Sequence, residues 1–78
     1  MKTYIVEDSP IILDNLVAAL EEFTPVRVVA FAADEDTAVS WLTRAENQCD
    51  LIIIDIFLKA GSGLGVLART SAAGAPGR

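Results

Sequence analysis

The sequence predicts an α/β domain built on a parallel sheet with helices on its faces. Three observations lead there. β-prone and helical segments alternate in the order β-α-β-α-β, and strands separated by helices pair in parallel. The third β-prone run, Leu51-Ile52-Ile53-Ile54, is apolar without alternation, as expected of a strand covered on both faces. Acids stand directly after the first and third runs, as Glu7-Asp8 and as Asp55. The 78 residues suit one small domain.

Each element has its own signal. Thr3 to Val6 is short and β-prone. Ser9-Pro10 reads as a helix start, because Ser9 can cap free N–H groups and proline suits the first helical position. Leu13, Leu16, Val17 and Leu20 continue at helical spacing, with Phe23 one step further, and Pro25 breaks the run. Val26, Val28, Val29 and Phe31 form the second β-prone stretch. Asp34 is the expected cap of a second helix, with Glu35 and Asp36 favourably placed in its first turn. Ala38, Leu42 and Ala45 give that helix its apolar stripe, with Val39 and Trp41 beside it. After the third strand, Ser62 to Arg69 opens a third helix, capped by Ser62 and weakened by Gly63 and Gly65. Residues 1–71 are expected to form the domain and 72–78, small and rich in Gly and Pro, a flexible tail.

Composition narrows the chemistry. The apolar fraction is 53%, while a chain of this size hides only about 60–65% of its unfolded surface. A net charge of -5 argues against nucleic acid and anionic membranes as partners. No apolar stretch approaches the roughly 20 residues of a membrane span, and the N-terminus lacks a signal-peptide core. Cys49 is the only cysteine, so a reducing, cytoplasmic setting is the simplest expectation. With no histidine and one cysteine, Cys/His zinc sites and histidine-based triads within one copy are excluded. Carboxylates and hydroxyls remain.

Functional groups of a parallel sheet collect at the carboxyl ends of its strands. If the first and third strands are neighbours, Glu7, Asp8 and Asp55 converge at one edge. Three carboxylates in a small pocket repel one another, and a hard divalent ion relieves the conflict. Mg²⁺ prefers oxygen ligands and keeps several waters. A carboxylate beside it can act as a nucleophile toward a phosphoryl group.

These residues resemble a response-regulator receiver domain, the phosphoacceptor module of two-component signalling. "YIVEDSP" resembles the family's first strand and acidic pair, and "LIIIDIFLKAGSGLGVL" its phosphoacceptor strand and following loop. The resemblance implies a flavodoxin-like sheet of strand order 2-1-3, here truncated after the third strand and third helix. It implies that Asp55 accepts the phosphoryl group and that Mg²⁺ is bound by Asp8 directly, Glu7 through water, Asp55 and the main-chain carbonyl of Phe57. The Phe57 side chain stands where it could cover the pocket. Lys59 replaces a frequent proline, and Gly61 a commonly apolar residue. The family's switch hydroxyl and phosphate-contacting lysine belong to later strands, so this chain alone is expected to take phosphate poorly.

The implied function is a phosphorelay receiver that is not itself an enzyme and switches a protein-interaction surface. Its implied partner is a sensor histidine kinase or phosphotransfer protein. Two rivals stand beside it. One is a receiver-like interaction module that is never phosphorylated. The other is an aspartate-dependent phosphatase, which uses two aspartates separated by one residue, and Phe57 stands at that second position. The strand order leaves residues 51–54 at an open edge, and such edges pair readily. A homodimer, or a complementing C-terminal fragment, is therefore expected there. Nucleotide binding is disfavoured, because the Gly61-Gly63-Gly65 pattern has Val66 where a dinucleotide fingerprint needs glycine.

Overall fold

A computed structural model describes residues 1–72. The elements run β1 (Lys2–Val6), α1 (Pro10–Phe23), β2 (Arg27–Ala32), α2 (Glu35–Leu42), β3 (Leu51–Ile54) and α3 (Gly63–Ala72). The three strands are parallel, as the sequence pattern predicts, and their order is β2-β1-β3, as the resemblance implies. β1 is central and β3 lies at an edge.

The register explains why the acids meet. Val6 is opposite both Ala32 and Ile54. The next residues continue the ladder, with Glu7 N–H donating to the Ala32 carbonyl and Asp55 N–H to the Val6 carbonyl, each at 2.9 Å. The ends of β1 and β3 are therefore level.

Successive side chains of a strand point to opposite faces. On one face Tyr4 and Val6 join Ala32, Ala38, Leu42, Cys49 and Val66 in the core, under α2 and α3. Trp41 stacks on Tyr4 with centroids 4.2 Å apart and planes 10° from parallel. Thr3 and Ile5, equally buried, face the other side, where α1 contributes Leu13. That side is thinly covered, and Phe31 of β2 is 59% exposed. The Tyr4 hydroxyl and Thr3 Oγ1 are buried without a hydrogen-bond partner among the described residues. Burial, reinforced by the charges of Asp34 and Cys49, pushes the Tyr4 phenol up to about 12.

The helix starts follow their cap residues. Ser9 Oγ accepts from Ile12 N–H at 3.3 Å, with Pro10 in the first helical turn. Asp34 Oδ1 accepts from Thr37 N–H at 2.7 Å, which with the Thr37 hydroxyl holds its carboxyl below the usual range. Three boundaries differ from the sequence pattern. β2 starts at Arg27 and runs on to Ala32. α2 stops at Leu42, so Ala45 is exposed in a turn and not part of the stripe. There Thr43 Oγ1 donates to the Val39 carbonyl and Asn47 Nδ2 to the Trp41 carbonyl, which occupies the last helical acceptors. α3 continues through Ser71 and Ala72. The rest of the expected tail, 73–78, lies outside the described residues.

Candidate functional site

Glu7 and Asp8 leave the end of β1, and Asp55 leaves the end of β3. One carboxylate oxygen from each lies within 4.8 Å of the other two. Glu7 is 9% exposed, and Asp8 and Asp55 are half-buried. Among the described residues the ion pairs are those of Arg69 with Glu35 and Asp36. Among the described residues, the three acids therefore have no cationic side chain at ion-pair distance.

Backbone amides orient each carboxylate. Ser9 N–H donates to Glu7 Oε2 at 3.0 Å. Lys59 N–H donates to Asp8 Oδ2 at 2.6 Å, across the pocket from the β3–α3 loop. Phe57 N–H donates to Asp55 Oδ1 at 3.1 Å, a local turn that leaves Oδ2 outside it. Opposite ligands of an octahedral Mg²⁺ stand about 4.2 Å apart, from a metal–oxygen distance of about 2.1 Å. Oxygens within 4.8 Å of one another fit such an ion with one carboxylate bridged by water. The three side-chain donors are carboxylate oxygens, a ligand type that a hard divalent cation prefers.

The loop that follows Asp55 folds back on itself. Phe57 and Ser62 form an isolated antiparallel bridge, and Gly63 N–H donates to the Ile56 carbonyl at 3.0 Å. Gly63 is a requirement of this closure. A Cβ there would collide with the Asp55 carbonyl oxygen and approach Ile54 Cγ2 to 2.7 Å and Ile56 Cα to 2.9 Å. Ser62 Oγ accepts from Gly65 N–H at 2.9 Å, so it caps α3.

Phe57 lies in this loop, but its side chain is 85% exposed and does not cover the acids. The bridge to Ser62 and the turn on Asp55 fix its backbone while leaving its ring in solvent. Cys49 is a buried core residue at the entrance to β3, and burial pushes its thiol up, away from an activated state. A groove of about 530 Å³ lies elsewhere, between α1 and β2, lined by Leu13, Val17, Val28 and Phe31 among others. It contains no nucleophile or acid cluster of the kind found at the strand ends.

Two contributors were not legible in the sequence. The Lys59 amide is a backbone donor, so no residue type announces it. Glu35 reads locally as a first-turn helix acid, yet its carboxylate accepts from Ser62 N–H and from Arg69, in an element far along the chain. Only the topology brings positions 35, 62 and 69 together.

Comparison with known proteins accords with this geometry. The chain is 36% identical over 69 residues to a protein-glutamate methylesterase/protein-glutamine glutaminase of Azospirillum brasilense, an alignment covering 88% of this chain and 17% of that protein. The chain thus spans under a fifth of the length of the curated relative it matches. No solved structure matches. The response regulator receiver domain family matches residues 3–76, nearly the whole sequence, including the ends of β1 and β3 and the acids that follow them. With the parallel 2-1-3 sheet and the acids at its strand ends, this match means that the chain belongs to the response regulator receiver domain family.

Proposed function

We propose that the chain is a phosphoacceptor receiver in which Asp55 takes the phosphoryl group. The observation that carries this reading is the convergence of Glu7, Asp8 and Asp55 at the carboxyl ends of β1 and β3, with no cationic side chain among the described residues to pair them. The donor is a phosphohistidine on a sensor kinase or phosphotransfer protein. The Asp55 carboxylate oxygen forms the new O–P bond as the N–P bond breaks, and the electron pair leaves with the imidazole nitrogen. Phe57 N–H holds Oδ1, and Oδ2, outside that turn, is the oxygen proposed to attack phosphorus.

Glu7, Asp8 and the Phe57 carbonyl are the proposed holders of Mg²⁺ together with Asp55. A divalent cation there offsets the negative charge on the transferring oxygens. Asp8 serves directly and Glu7 through water. Lys59 N–H keeps Asp8 turned into the pocket, and Ser9 N–H does the same for Glu7. The chain is not proposed to be an enzyme. The methylesterase activity belongs by name to a relative of which this chain matches only a minor part.

Added phosphate charge biases a two-state surface toward a signalling partner. Residues 1–71 are the proposed receiver unit. A cytoplasmic setting fits the family, and no described helix is long and apolar enough to cross a membrane. The open edge of β3 is the proposed pairing surface for a second copy or a complementing C-terminal piece. It is supported by the edge position of β3 and by Leu51 on that strand, 37% exposed.

Prolonged incubation with acetyl phosphate and Mg²⁺, followed by intact and peptide mass spectrometry, tests the assignment. The label is expected on Asp55, slowly, and lost in Asp55→Asn. A label that persists in Asp55→Asn overturns it.

A further inference from the structure

Glu35 lies outside the acid trio but grips the loop that borders it. Its backbone N–H donates to the Ala60 carbonyl at 3.2 Å. Its Oε1 accepts from Ser62 N–H at 2.9 Å, and its Oε2 pairs with Arg69 at 2.9 Å. Arg69 also reaches Asp36 at 2.8 Å. The Glu35 side chain is only 19% exposed, because it lies flat against two glycines. A Cβ on Gly65 would strike its carboxylate, and one on Gly61 would strike its Cβ. Gly61 also has φ 86°, which glycine adopts without strain. Hydrogen bonds from Arg69 first, then from Ser62, hold the Glu35 carboxyl below its ordinary range.

The far side of the same loop is tied to the pocket by Lys59 N–H on Asp8. The Phe57–Ser62 segment is thus fixed at two points, Glu35 on one flank and Asp8 on the other. We infer that Glu35, braced by Arg69, is a positioning residue for the acidic pocket: it sets the loop so that the Lys59 amide meets Asp8. This rests on the proposed Mg²⁺ role of those acids. It also links the α2–α3 surface to the pocket through one side chain.

Amide hydrogen exchange and Mg²⁺ titration of the full chain, both followed by NMR, test it with Mg²⁺ alone as the probe. In Glu35→Ala, protection of the Lys59 amide is expected to fall about tenfold, the scale of one lost hydrogen bond to a charged group. Protection of Tyr4 and Ile5 in β1 stays, which reports an intact fold. Mg²⁺ affinity is expected to weaken about three- to tenfold, at or below the range for outer-shell ligand partners. Glu35→Gln keeps an acceptor for Ser62 N–H and is expected to restore most of both. Parent-like Lys59 protection in Glu35→Ala overturns the inference, with or without metal. So does loss of protection with unchanged Mg²⁺ affinity. If Glu35→Ala unfolds, Glu35→Leu, which fills the same space but cannot accept from Ser62 N–H, gives the same readouts, and parent-like values in that variant overturn it. A parent chain that shows no Mg²⁺ response overturns the metal-site reading instead, while the metal-free exchange data still decide whether Glu35 holds the loop.

Discussion

Lys59 N–H donates a 2.6 Å hydrogen bond to Asp8 Oδ2, joining the β3–α3 loop to the acid that follows β1. The contact spans two elements that are distant in sequence but neighbours in the sheet. Because the donor is a backbone amide, the lysine side chain is dispensable to it. Lys59→Ala is therefore expected to leave Mg²⁺ affinity within about twofold of the parent, since an exposed charge near the site contributes little. Calorimetric titration checks this, and a loss of binding as large as that of Asp8→Ala would show that the side chain matters.

Gly63→Ala is expected to destabilise the domain by about 1–3 kcal/mol, the scale of overpacking a close backbone approach. The added methyl meets backbone at Asp55 and Ile56, which cannot move without shifting the site. Urea unfolding followed by Trp41 fluorescence measures it. An unchanged midpoint would mean that the loop does not close as described.

Tyr4→Phe is expected to stabilise the fold by about 1 kcal/mol, because it removes a buried hydroxyl with no partner and keeps the stack on Trp41. The same phenol gives a pH signature. Its pKa is raised in the folded state to about 12 from 10.0. The unfolded chain therefore loses the proton first as pH rises. Stability should be full below about pH 10 and fall by about 2–3 kcal/mol toward pH 12. The Phe variant should lack that part of the alkaline loss. Equal alkaline profiles for parent and variant would contradict the burial of Tyr4.

Much of this was legible in the sequence, for identifiable reasons. Ser9-Pro10 and Asp34 carry helix-start chemistry in their own side chains, and both act as caps. The unbroken apolar run of residues 51–54 and the β-α alternation gave the parallel sheet, and the acids after Val6 and Ile54 follow from it. The end of α2 was less legible, because Ala45 continues the helical spacing while Thr43 and Asn47 take the final carbonyls. The exposure of the Phe57 ring depends on a loop closure that its own residue type does not encode. Glu35 was hidden because its partners are brought to it only by the packing of α3 on α2.

The outer edge of β3 is expected to support association. Sedimentation over a range of concentrations should show species larger than 8.3 kDa. Leu51→Lys, which places a charge on the edge strand, should shift the chain toward monomer. A compact monomer at all concentrations, in parent and variant alike, would remove the edge as a pairing surface.

The most direct test of the central claim is an Mg²⁺ titration of the parent, Asp8→Ala and Glu7→Gln chains, read from the amide resonances of residues 7, 8 and 55–59. Weak, saturable binding is predicted for the parent, with those amides shifting together. Asp8→Ala should lose most of it, by about tenfold or more, and Glu7→Gln less, as expected of a direct and a water-bridged ligand. Equal affinity in Asp8→Ala and the parent would contradict the assignment of the pocket.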